Sequence, residues 1–202
     1  MIDSDHRLEK GDIQSLLDDM HKFNLDIVQS QLISYKNLNF WNRAEEQAWD
    51  ITHNIPGPKK MIGVAPAIFK KELFERIRFD DTITKTIDDT DFMYRLSKIP
   101  EFTFGIGETK VKQLHFGSFR NYTKKFLWYG YGDGEFCFKH PNRAFSMFFH
   151  LLVRYQIIYS CRALLRGRIG AIPYFLLQGN VRFYGMIKKL LLLLGSKTNN
   201  LF

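Results

Sequence analysis

Three aspartates fall within four positions near the middle of the chain. Asp88, Asp89 and Asp91 stand in the stretch IDDTDFMYRL, with Arg95 four residues beyond the last of them. Carboxylates crowded beside the apolar Ile87, Phe92 and Leu96 repel one another and lose solvation, and both effects raise a pKa. A carboxylate raised in this way is suited to take a proton as a general base. A helix starting near Thr90 turns its N-terminus toward the cluster and offsets part of the repulsion. Asp91 then reads as a first-turn acid braced by Arg95 at i+4, which leaves Asp89 to face a substrate. The competing reading is a helix cap with solvated acids around it.

A second acidic group opens the chain. Asp3 and Asp5 alternate in MIDSDH, and a D-x-D just after a strand end puts both carboxylates near one point. Hard oxygen donors of this kind suit Mg²⁺ or Mn²⁺, which bind through one or two carboxylates plus substrate phosphates. Alone, such a triplet is no different from an acidic surface loop.

The elements that must position these groups follow from periodicity. Residues 12–23 carry Ile13, Leu16, Leu17, Met20 and Phe23 at helical spacing, with Asp12 placed to cap them. Residues 25–35 read as a strand, 39–54 as a helix, and 55–60, with two prolines and a glycine, as a loop. Residues 61–77 begin as a short apolar strand and pass into a helix from about Lys70. Residues 90–99 are helical, and 101–116 alternate like paired strands. Helix alternating with strand is the α/β signature. GYGDG (130–134) is glycine-rich but does not read as a phosphate loop between strand and helix.

Charge is uneven. The chain has 202 residues and a net charge of +8; residues 1–100 hold 14 Lys/Arg and 17 Asp/Glu, and residues 101–202 hold 15 and 4. Hydrophobic content of 45% excludes a disordered chain. Cys137 and Cys161 have neither metal-ligand spacing nor the number for a disulfide framework, so reduced thiols are expected. Residues 144–179 are apolar but cut by His150, Arg154, Arg162 and Arg166, which share one broad helical arc; residues 186–197 repeat this more weakly. That pattern fits helices lying in a membrane interface rather than crossing it, the alternative being ordinary helices packed on the domain. The expected division is therefore residues 1–140 as an α/β unit and 141–202 as a basic, apolar helical region. A non-enzymatic alternative, a basic module on nucleic acid or an anionic membrane surface, leaves both acidic groups unexplained.

Taken in order, the motifs resemble those of the inverting family 2 glycosyltransferases, which have the GT-A fold. The matching residues are Asp3-Ser4-Asp5; Gly63 through Phe69, Lys70, Phe74, Ile77, Phe79 and Asp80; Asp88-Asp89-Thr90-Asp91-Phe92-Met93-Tyr94-Arg95; His115; and Lys124, Lys125, Tyr129, Gly130 and Gly132. Asp88 stands where the family more often has Glu. The resemblance covers residues 1 to about 135 and implies a partial GT-A-type mixed sheet flanked by helices. It implies that Asp5, helped by Asp3, holds Mg²⁺ or Mn²⁺ against the diphosphate of a nucleotide-sugar. Asp89 becomes the base toward an acceptor hydroxyl, supported by Asp88, Asp91 and Arg95. His115 becomes a further metal ligand or phosphate contact, and Lys124 and Lys125 close over the diphosphate. The acceptor expected is a saccharide or a lipid-linked one, at the cytoplasmic face of a membrane that residues 141–202 touch peripherally; no nucleic acid is expected. No Q-x-x-R-W segment is present, since Trp128 follows Lys-Phe-Leu, which favours a single transfer over polymerisation. The family's nucleotide-binding half would precede the D-x-D. The chain starts two residues before it, so the expectation is a C-terminal portion that transfers sugar poorly by itself.

Overall fold

A computed structural model describes residues 1–35, 39–81, 83 and 86–199. Residues 200–202 of the expected C-terminal region lie outside them. The elements are β1 (His6–Arg7), α1 (Asp12–Lys22), β2 (Ile27–Ser34), α2 (Phe40–Thr52), β3 (Gly57–Pro58), β4 (Ala67–Phe69), α3 (Leu73–Arg76), α4 (Asp88–Leu96), β5 (Phe104–Gln113) and α5 (Phe119–Lys139). A 3₁₀ turn (Pro141–Arg143), α6 (Ala144–Phe149), a π-helix (His150–Tyr159), α7 (Ser160–Leu165) and α8 (Ala171–Asn199) complete the chain. The fold is α/β, with a mixed five-strand sheet flanked by helices.

The strand order is β1-β5-β2-β4, and β3 pairs with the same side of β5 as β1. β2 runs parallel to β5 and antiparallel to β4. Both faces of β2 are covered, so its polar residues need internal partners. Gln29 shows how this is met: its amide donates to the Ala65 carbonyl and accepts from the Gly63 N–H. A Cβ at Gly63 would lie 2.7 Å from that amide, so a larger residue there would have to displace the Gln29 side chain.

Several local expectations change. Within residues 101–116 there is one strand, Phe104–Gln113, not a pair. A Cβ at Gly105 would stand 2.5 Å from the Gly57 carbonyl, so glycine lets β3 dock against β5. The D-x-D precedes a strand instead of following one: Met1 exchanges backbone hydrogen bonds with Ala67, and His6 pairs with Gln113. Asp12 does not cap α1. Gly11 holds the cap position at φ +100°, and Asp12 accepts from the Glu9 N–H.

The largest core lies among the helices and draws on both expected regions: Tyr122 and Phe126 of α5 meet Leu151, Phe175 and Met186. α5 and α8 touch backbone to backbone. A Cβ at Gly130 would collide with the Arg182 carbonyl, one at Gly134 would lie 2.8 Å from the Met186 carbonyl, and Gly185 faces Leu127. The glycine-rich GYGDG is thus a helix-packing surface. A second core, with Ile27, Leu73, Phe92 and Leu96, sits between the sheet and α4. Among the described residues, no helix is long and apolar enough to cross a membrane.

Only part of the basic arc faces outward. The turns of the π-helix are wider than those of an α-helix, so its positions are rotated from the α-helical expectation. His150 turns inward to line a cavity, Arg154 stays exposed, and Arg166 reaches the Asp50 carbonyl.

Candidate functional site

The main cavity has a volume of 530 Å³ and lies between the sheet, α4, α5 and the π-helix. Asp89 is on its wall. It sits in the first turn of α4, where its Oδ1 accepts from the Thr90 N–H at 2.6 Å and the Thr90 hydroxyl at 3.2 Å. Burial pushes its pKa up, and the charges of Asp88 and Asp3 push the same way, against the Thr90 hydrogen bonds. Asp88 is exposed.

Asp91 points the other way and is completely buried. Its Oδ2 accepts from Arg95 Nε at 2.7 Å, while Oδ1 meets Lys139 Nζ at 2.8 Å and His140 Nε2 at 2.7 Å. Burial raises its pKa, but these hydrogen bonds outweigh it and hold the carboxyl below the usual range. Asp91 thereby fastens the start of α4 to the end of α5.

Asp3 and Asp5 do not line the cavity. Their carboxylates and the His6 ring offer three ligand atoms within 4.8 Å of one another. Gln113 Nε2 donates to Asp5 Oδ2 at 2.9 Å and fixes its orientation. Burial lowers the His6 pKa, Asp5 and Asp3 oppose this, and Lys125 adds to it. Two couplings tie this group to the cavity: the Asp3 charge raises Asp89, and the His6 charge contributes to lowering His53. Two carboxylate oxygens and one imidazole nitrogen fit Mn²⁺ or Mg²⁺.

His115 is not in that group. Its Nδ1 pairs with Glu45 at 2.7 Å and its Nε2 with the Ser34 hydroxyl at 2.8 Å, and its ring stacks on Trp49. Both nitrogens are committed to a buried network around Glu45, which also accepts from Tyr122 and Tyr174. The expectation of His115 as a ligand gives way to His6. Lys125 stands 3.7 Å from Glu45 and over Phe116. With Lys124 and Trp128 it lines a second hollow of 480 Å³, which shares Tyr129 with the main cavity.

Sequence reasoning missed most of the cavity. Asp133 accepts two parallel hydrogen bonds from Arg182, at 2.7 and 2.8 Å, across the α5–α8 contact. His53 and His150 also line the space. Burial drops His53 to about 4 and His150 to about 3, so both are neutral at physiological pH. His53 Nε2 is buried without a hydrogen-bond partner among the described residues. Only His6 had a local signal, its place beside the D-x-D.

No family model, no curated protein and no solved structure matches this chain.

Proposed function

We propose that the chain works as a GT-A-type, metal-assisted inverting glycosyltransferase that makes single transfers from a nucleotide-diphosphate-sugar to an acceptor hydroxyl. The observation that carries this is the pairing of Asp89, a cavity-wall carboxyl with raised pKa, with a neighbouring three-ligand group whose Asp3 charge reaches it. A divalent cation bound by Asp3, Asp5 and His6 would neutralise the leaving diphosphate. Asp89 takes the proton of the acceptor hydroxyl. The freed oxygen attacks the anomeric carbon as the bond to the phosphate oxygen breaks on the opposite side, so one displacement inverts the centre. No carboxylic acid is needed to protonate the leaving group, in contrast to glycoside hydrolysis. His53 offers its unpartnered Nε2 to a substrate hydroxyl. Lys125, whose charge influences His6, would meet the diphosphate.

The setting we propose is peripheral, at the cytoplasmic face of a membrane. Phe145 and Leu165 are 82% and 85% exposed, and Arg162, Leu164 and Ile169 are exposed with them. Apolar side chains interspersed with cations suit an anionic interface.

The test is release of nucleoside diphosphate from a panel of nucleotide-sugars with Mn²⁺, with and without candidate acceptors. Acceptor-stimulated release that disappears in Asp89→Asn is the expected result. Equal release by Asp89→Asn would refute the assignment.

A further inference from the structure

The cavity continues past Asp89. A third hollow, of 430 Å³, shares Met61, Thr90, Asp133, His150 and Arg182 with the main cavity, so these two make one cleft. Its other lining residues include Arg143, from the 3₁₀ turn, and Arg154, from the π-helix. Three guanidinium groups therefore face a hollow whose one lining carboxylate, Asp133, is already gripped by Arg182. His150 is neutral there and adds no charge.

Arg143 and Arg154 remain. Arg143 Nε is buried with no hydrogen-bond partner among the described residues, and the guanidinium carbon lies 5.2 Å over the Tyr94 ring. Arg154 is exposed and forms no ion pair among the described residues. A buried donor left unmade is costly, so its natural complement is an acceptor brought by a ligand. Planar guanidinium forks match the oxygens of a phosphate. Phe149 also lines this hollow and is partly open to solvent, as are Phe145 and Leu152 on the same run of helix.

We propose that this hollow binds a phosphate ester, with Arg143 and Arg154 holding the anion and its apolar substituent lying along Phe149. The use of the site rests on the glycosyl-transfer reading: the ester is the anionic portion of the acceptor, whose hydroxyl reaches Asp89 at the other end of the cleft. The anion site itself stands without that reading.

Hexyl phosphate titrated into the full chain by calorimetry provides the test, with hexyl β-glucoside as the neutral control. The phosphate is expected to bind and the glucoside not. Arg154→Gln should weaken binding about tenfold, and Arg143→Gln/Arg154→Gln about a hundredfold, while Arg120→Gln, at an exposed position on α5, changes nothing. Arg154 is exposed and unpaired, so its single variant keeps the fold even if the double variant does not. Unchanged affinity in Arg154→Gln and the double variant, or a glucoside that binds as well, overturns the proposal.

Phosphatidylcholine vesicles with and without phosphatidic acid separate two sources of the phosphate. Arginine-dependent sedimentation with the phosphatidic acid vesicles assigns the site to a lipid-borne ester; arginine dependence for hexyl phosphate alone assigns it to a soluble one. Arginine-dependent binding in a protein that releases no nucleoside diphosphate would keep the phosphate site and remove the transferase reading.

Discussion

Asp91 and His140 are 49 residues apart in the chain and 2.7 Å apart in space. With Lys139 and Arg95 they form a charged knot that sets where α4 begins. Asp89 lies two residues before the knot, so its direction into the cavity is fixed from behind. The acid that faces the cavity and the acid that anchors the turn are separated by a difference in partners, not in residue type.

Asp91→Asn should therefore destabilise the protein by about 3 kcal/mol, as expected when one partner of a buried ion pair is removed. Because the folded pKa of Asp91 is depressed, its contribution is present above the unfolded value and lost as pH falls through the folded one. Urea denaturation of wild type and variant across pH should show a gap that closes only below the usual carboxylate range. A gap closing near neutrality would contradict the knot.

Asp89 should behave oppositely. Its folded pKa is raised, so the native state holds a proton that the unfolded state has released, and stability falls as pH rises through that interval. Asp89→Asn is expected to match or exceed wild-type melting temperature at pH 7 while losing about 10²–10⁴-fold in transfer rate. In the wild type, rate should rise with pH along an acid limb lying above the ordinary aspartate value. Calorimetry and a pH–rate profile report the two halves separately.

Metal binding distinguishes the two histidines. Mn²⁺ should raise the melting temperature of the wild type, because a ligand that binds only the folded state stabilises it. His6→Gln and Asp5→Asn should lose that shift. His115→Gln should keep it but start about 1–3 kcal/mol less stable, since Glu45 loses a buried partner. A shift lost in His115→Gln and kept in His6→Gln would reverse the assignment.

Gly130→Leu should cost at least about 1–3 kcal/mol from overpacking, because even a Cβ meets the Arg182 backbone. The same change pushes Arg182 off Asp133, so hexyl phosphate binding and stability should fall together. Chemical denaturation and calorimetry on the variant check both.

The legible parts of the sequence were those with a local cause. Periodicity located α1, β2 and α2 to within a few residues, and the i,i+4 spacing of Asp91 and Arg95 gave one side of the knot. The remainder depended on distance along the chain. Lys139 and His140 reach Asp91 only because α5 passes beside α4, and Arg182 meets Asp133 only because three glycines let two helices touch. His115 misled because a histidine after a strand looks the same whether its nitrogens are free or committed. The π-helix was not legible because residue type does not tell a π-helical segment from an α-helical one.

The α5–α8 contact also bears on biosynthesis. Arg182 belongs to α8, so Asp133 gains its partner only once α8 has been made and has packed on α5. Until then the carboxylate stays unmatched and the back wall of the cleft is missing. A nascent or proteolytically shortened product lacking that helix would display Asp89 in a half-open trough.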